Sequence, residues 1–267
     1  MKIKKIIKRV LPEILLDECL IFINNFISLR PKKIIEHMEV DFALSRVWKK
    51  RDIKVLDIGA HHGEFLDIFG TFNHSHKWLV YCVEPLARNR KFLKRKIRKY
   101  KNVVAHIIPY GISDVAGQKT FFLGSADTLF TCNSHWKNIF PEHFADSQEI
   151  AINCLTVNDL VARYQITENE HFDLIKVDVE GHDINVIDSF CKSGITSTVI
   201  IFEISNDCKI TSKCIDLLRL KGFNEFFLFG RIGIPTTYIG EYIDEVQLQN
   251  LLQSGRIAGG NMVGFSE

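Results

Sequence analysis

Val55–Phe65 reads VLDIGAHHGEF. A short apolar run ends on Asp57, a turn rich in small residues follows through Gly59, Ala60 and Gly63, and amphipathic residues come next. That is a strand, a tight turn and the start of a helix. Glycine lets the backbone turn sharply and approach another group closely. The helix entered at Gly63 presents free N–H groups and the positive end of its dipole. In an open α/β sheet, the first strand–helix turn lies in the binding crevice.

Outward from this stretch the chain alternates. Strands are expected at Ile53–Asp57, Trp78–Val83, Val103–Ile108, Phe172–Val177, Ser197–Phe202 and Phe223–Phe229. Helices are expected at Gly63–Phe69, Leu86–Lys99, about 183–191 and about 211–220. Strands that are continuous apolar runs, each followed by a helix, predict an α/β fold with a doubly wound, mostly parallel sheet and helices on both faces. KTFFL (Lys119–Leu123) and EIAINCL (Glu149–Leu155) read as two short strands able to pair. The polar stretch Gly124–Gln148 between them makes 118–155 an inserted, substrate-facing region. GRIGIPTTYIG and AGGNMVGF, near the C-terminus, read as turns around short strands.

Residues 1–51 form an expected N-terminal helical extension, with helices near 13–28 and 33–49 separated by Pro31. The main domain is expected over 52–267. The opening MKIKKIIKRV is basic and then apolar, but Pro12, Glu13, Asp17, Glu18, Asn24 and Asn25 make the stretch too polar to span a bilayer. It reads as a helix packed on the domain, or as one resting on an anionic membrane through Lys2, Lys4, Lys5, Lys8 and Arg9.

The 267 residues are 46% hydrophobic, enough for one sizeable α/β core with at most a small appendage. With 34 Lys and Arg against 32 Asp and Glu, the chain has no bulk charge for nucleic acid. Arg88–Lys101 (RNRKFLKRKIRKYK) reads first as a solvated helix face, though it suits an anionic glycan or lipid head group. The 7 Cys show no metal-knuckle spacing and read as reduced thiols of a cytoplasmic protein. His74, His76, His135 and His143 give no zinc pattern.

Three groups carry the expected chemistry. Asp57, where a dinucleotide fold has its first glycine, suits a cationic group and repels a pyrophosphate. Glu84, ending VYCVEP, is placed to accept both hydroxyls of a ribose. DLIKVDVEGHD (Asp173–Asp183) gathers Asp178, Glu180 and His182 at the end of a central strand. Lys176, inside that apolar strand, is expected to pair with an acid.

These segments resemble the FkbM family of methyltransferases. The matching stretches are VLDIGAHHGEF, VYCVEP, GISDVAG (Gly111–Gly117), TVNDL (Thr156–Leu160), FDLIKVDVEGHD and VIIFEIS (Val199–Ser205), in the family's order over about 53–205. The resemblance implies a Rossmann-like fold and S-adenosylmethionine as cofactor. The reaction it implies is mostly O-methylation of sugars, polyketides and related secondary metabolites. It carries cofactor contacts onto Asp57, Gly59, Ala60, His61, Gly63 and Glu84, puts Ser113 and Asp114 near the adenine, and puts Asp178 and Glu180 near the methyl group. His61-His62 and His182 depart from the family pattern.

A sugar hydroxyl needs a base, for which Asp178, His182 and Glu203 are candidates. A metal held by Asp178, Glu180 and His182 is the weaker reading, and no metal is expected. The expected partner is a small-molecule or glycan acceptor, not nucleic acid, since no N-P-P-[YF] motif is present. Two alternatives are a nicotinamide-dependent oxidoreductase on the same topology and a non-catalytic binding protein with a methyltransferase fold.

Overall fold

A computed structural model describes residues 38–47, 49–50, 52–71, 76–124, 130–132, 141–205, 207–232, 237–242, 246–247, 250 and 257–266. The main sheet has eight strands in the order β11-β10-β12-β9-β8-β1-β2-β3. The first three are β1 (Asp52–Ile58), β2 (Lys77–Val83) and β3 (Val103–Ile108); β8 (His171–Val177) and β9 (Thr196–Glu203) continue the parallel set. The rest are β10 (Phe223–Ile232), β11 (Thr237–Tyr242) and β12 (Ile257–Ser266). Strand β12 lies antiparallel between β9 and β10. The expected sheet is therefore present, with an antiparallel end.

That end corrects the reading of AGGNMVGF. Its residues are inside a ten-residue strand, not at turns. Gly264 is there because a Cβ would come within 3.0 Å of both Ile200 and Phe226. A glycine in a strand often marks such a close approach, and in sequence it looks like a turn.

Helices α1 (Met38–Ser45), α2 (Glu64–Thr71) and α3 (Ala87–Ile97) cover one face through Leu44, Phe69 and Leu93. The short α4 (Pro141–Phe144) lies in the inserted region. Helices α5 (Val157–Arg163), α6 (Asp183–Cys191) and α7 (Cys208–Leu220) cover the other face through Leu160, Ile187, Phe190 and Leu218. Because successive strand residues alternate sides, Val55 packs with the first cluster and Leu56 with the second. TVNDL opens α5. Thr156 and Asp159 form a reciprocal capping box, with Asp159 N–H donating to Thr156 Oγ1 at 3.1 Å and Thr156 N–H to Asp159 Oδ2 at 3.0 Å.

The inserted region builds a second sheet of order β4-β7-β5-β6, from β4 (Gly111–Ile112), β5 (Gly117–Leu123), β6 (Phe130–Thr131) and β7 (Gln148–Leu155). The expected pairing of KTFFL with EIAINCL is present and antiparallel, with Phe121 opposite Ile150. Leu86, just before α3, packs with Phe121, Ile152 and Cys154, so this sheet leans on the tip of β2.

Of the expected N-terminal helices, the one near 13–28 and the basic run before it lie outside the described residues, as do His74, His135 and Trp136. The second is described only as α1. No helix among the described residues is long and apolar enough to cross a membrane, and Cys82, Cys132, Cys154, Cys191 and Cys214 are free thiols.

Candidate active site

The strand order reverses at β1. From it, β2 and β3 build one way and β8 and β9 the other, so ligands bind beyond the carboxyl ends of β1 and β8. The Gly59 turn and the Asp178 turn sit side by side there, joined by Asp178 N–H donating to the Ile58 carbonyl at 3.1 Å.

Gly59 is required at its position. Its φ is +83°, and a Cβ would lie 1.8 Å from the Asp178 carbonyl oxygen. Gly63, at φ +82°, lets Leu93 of α3 pack against the start of α2. Both glycines thus serve close approach of protein to protein.

Asp57 is fully buried, and the cation it meets is internal. Lys176 Nζ lies 3.6 Å from Asp57 Oδ1 and 3.1 Å from Asp178 Oδ2, and it donates to the Gly59 carbonyl at 3.1 Å. Burial works against the Lys176 charge, but Asp178 and Asp57 outweigh it and hold the ammonium protonated. Burial raises Asp57, only partly offset by Lys176, and neither carboxyl oxygen has a hydrogen-bond donor. The expected pairing of Lys176 with an acid is present. The sequence did not reveal that this lysine occupies the cationic place beside Asp57.

Glu84 is 4% exposed and already held. It accepts N–H bonds from His61 at 2.9 Å and Leu86 at 2.8 Å, and one from Asn89 Nδ2 at 3.3 Å. Burial nonetheless lifts its proton affinity. A carboxylate has about four acceptor positions, so roughly one stays open to a ligand hydroxyl.

The turn after β8 is different. Glu180 adopts φ +54° and Gly181 +84°, a left-handed pair in which only the glycine is unstrained. Burial and then Asp178, Glu203 and Asp183 push Glu180 up to about 9. Burial and Asp178 push Glu203 up to about 7. Burial also raises Asp183, whose Oδ1 has no hydrogen-bond partner. The side chain of Asp178 is 42% exposed and faces this crevice. Asp178 is thus ion-paired with Lys176, which Asp57 also uses, Glu180 and Glu203 feel the same positive charge, and Asp183 adds a further buried acid.

His182 points elsewhere. Its Nε2 is 2.9 Å from Ser113 Oγ and its Nδ1 3.0 Å from Cys132 Sγ. The one hydroxyl proton of Ser113 goes to Asp114 Oδ1 at 2.7 Å, so His182 Nε2 donates to Ser113. Nδ1 is left to accept from the Cys132 thiol. Burial lowers His182 to about 4, which keeps the ring neutral. Ser113 and Asp114 are thereby tied to the D-x-E-G element. Beside this chain opens a cleft of about 490 Å³, with Lys119, Thr120, Gly181, Asn185 and Ile210 on its walls. Cys132 and Lys119 were not singled out in sequence. Cys132 lies 50 residues from His182, and no spacing rule connects them.

The rings of His61 and His62 stack at 3.9 Å, and His62 meets Phe92 at 4.4 Å. His61, His62 and Glu64 bring ligand atoms within 4.8 Å of one another, so this turn could chelate a transition ion. Burial opposes the Glu64 charge, but the bond from His61, a backbone hydrogen bond and the charges of His61 and Lys96 together outweigh it and take Glu64 down to about 2.

A doubly wound sheet with a glycine turn after β1, an acid ending β2 and an acidic turn after β8 places the chain among the Rossmann-like α/β proteins. Within that class, the methyltransferase FkbM domain matches residues 57–224, and the chain belongs to this family of S-adenosylmethionine-dependent methyltransferases. No curated protein sequence matches it.

Among solved structures, precorrin-6y C5,15-methyltransferase from Geobacter metallireducens is 13% identical, matched over 89% of this chain and 93% of its own, with a TM-score of 0.40. Methyltransferase FkbM from Methylobacillus flagellatus is also 13% identical, over 80% of this chain and 44% of its own, at 0.45. An S-adenosylmethionine-dependent O-methyltransferase from Thermotoga maritima is 11% identical, over 92% and 71%, at 0.44. The fold itself is defined by the strand order of the main sheet.

Proposed function

We propose that this methyltransferase acts on a hydroxyl of a sugar, glycan or secondary-metabolite acceptor, and that the acceptor enters by the cleft beside His182. The observation that carries the cofactor's place is the surplus of carboxylates at the switch point. Asp178, Glu180 and Glu203 meet the charge of Lys176 and Asp183 lies among them, beside a Gly turn and a ribose-suited Glu84. A sulfonium-bearing cofactor supplies an electrophilic methyl group and brings the positive charge that this site lacks.

In this reading Glu84 holds the ribose and Gly59, Ala60, His61 and Gly63 shape the turn around the methionine moiety. Asp57 acts through Lys176. Asp178 and Glu180 lie nearest the reacting methyl, and Ser113 and Asp114 flank the adenine. A base near neutral pH is most useful, because its proton affinity then matches the task. Glu203, at about 7, has that affinity. Asp178 has the open position. His182, held neutral with both nitrogens engaged, orients Ser113 and the turn.

The test is transfer of labelled methyl from S-adenosylmethionine to a panel of sugars, glycans and phenolic metabolites, with linkage analysis of the product. A methyl ether is expected; a C- or N-methyl product would remove the hydroxyl reading. Asp178→Asn is expected to abolish turnover while holding S-adenosylhomocysteine affinity within a few-fold, and retained turnover would take Asp178 out of the reaction. S-adenosylhomocysteine, and not NAD, is expected to raise the melting temperature.

A further inference from the structure

Arg88–Lys101 holds nine of the chain's 34 Lys and Arg, and no Asp or Glu occurs from 85 to 113. The rest of the chain, with 25 basic against 32 acidic residues, has a formal net of −7. The charge is thus strongly segregated although the whole is near neutral.

Helix α3 sorts this segment by face. Asn89, Leu93 and Tyr100 are buried, while Arg88, Lys91, Phe92, Lys94, Arg95, Arg98 and Lys99 are exposed. At about 3.6 residues per turn, the exposed set covers an arc of roughly 160°. Lys96 and Lys99 are drawn to Asp67 of α2, at 2.7 and 3.5 Å. Among the described residues no ion pair neutralises Lys91, Lys94, Arg95 or Arg98. Phe92 lies at one edge of this arc, 43% exposed, with the Arg95 guanidinium 5.8 Å from its ring.

A face of unneutralised cations flanked by an exposed aromatic matches an anionic lipid surface. Lys and Arg meet the head groups, while an aromatic residue enters the interface. We propose that the outer face of α3 docks this protein on an anionic bilayer, with Phe92 in the head-group layer. The packing of Phe92 on His62 ties that face to the turn after β1. Docking would therefore hold the crevice at the membrane surface, where a lipid-linked acceptor is found. The face is independent of the basic run at residues 2–9, and its docking needs no cofactor.

The experiment is co-sedimentation of the full chain with phosphatidylcholine vesicles, with and without phosphatidylglycerol, at low and high salt. Binding is expected only with phosphatidylglycerol and is expected to weaken with salt. Replacing Lys91, Lys94, Arg95 and Arg98 together by Gln should weaken it by about 100-fold or more. The same variant should bind S-adenosylhomocysteine within twofold of the parent, which shows that it has folded. Phe92→Ser should lose the part of binding that survives high salt. Three results would overturn the proposal. They are no vesicle binding by the parent, loss only when Lys2, Lys4, Lys5 and Lys8 are replaced, or tighter binding to RNA than to vesicles at equal salt.

Discussion

The turn after β1 and the turn after β8 touch, yet they handle charge in opposite ways. In the first, left-handed backbone falls on glycines at 59 and 63 and on His61 (φ +46°) between them, and Glu84 has three N–H donors. In the second, Glu180 takes the left-handed conformation without being glycine, and buried carboxylates outnumber the cations near them. The first turn is preorganised by the protein alone. The second crowds acids whose ionisation burial and mutual repulsion oppose, so a cationic ligand there would favour their charged forms and bind more tightly than its neutral product.

Lys176 links the two turns, so its loss should have the largest effect. Lys176→Met leaves Asp57 buried without a cation and should cost about 3–5 kcal/mol in urea unfolding at pH 8. At pH 5 the loss should shrink, because burial already raises Asp57 and a neutral acid needs no partner. Equal losses at both pH values would show that Asp57 is neutral in the parent protein.

Gly59→Ala comes next. The added methyl collides with the Asp178 carbonyl and forces a left-handed alanine, together costing about 3 kcal/mol. A loss under about 1 kcal/mol would mean that the turns can part easily, contrary to their packing.

The pH dependence should separate the turns further. Glu180 and Glu203 bind protons more tightly folded than unfolded, at about 9 and about 7 against an ordinary 4.5. Stability should therefore fall as pH rises from about 5 towards 9. Glu180→Gln should recover on the order of 2 kcal/mol at pH 8.5 and flatten the slope. S-adenosylmethionine should raise the melting temperature more at pH 8.5 than at pH 6, whereas S-adenosylhomocysteine, lacking the sulfonium, should show less pH dependence. An identical response to both would put the sulfonium away from this turn.

The two turns were also unequally legible. Parallel strands buried on both faces are continuous apolar runs, so VLDIG and FDLIKV marked β1 and β8 within a residue or two. Val103–Ile108 was read as it stands. Asp57, Glu84 and Asp178 followed because strand tips can be located once strands are. The antiparallel end was misread because glycines admitted by close packing, such as Gly264, look like turns. Lys176 stood out as polar in an apolar strand, but its sharing between Asp57 and Asp178 depends on β1 lying beside β8. Cys132 gave no signal, because its partner comes from the second sheet meeting the Gly181 turn.

That last contact yields the smallest and most discriminating effect. His182 sits at about 4, below its ordinary 6.5, so its neutral form stabilises the fold above pH 6.5. That stability is lost as pH falls through 4. The Cys132 thiol donates to Nδ1 and shields it from water. Cys132→Ala removes the donor, and at pH 7 the buried acceptor should cost about 1 kcal/mol. Water reaching Nδ1 also lets the ring protonate more easily, so the His182 proton affinity should rise. The penalty should then be smaller at pH 5 than at pH 7, and the His182 ring resonances should titrate at higher pH. An equal penalty at both pH values would mean that the cavity closes over Nδ1 without admitting water. In that case the neutrality of His182 would rest on packing by Phe121 and its neighbours rather than on the thiol.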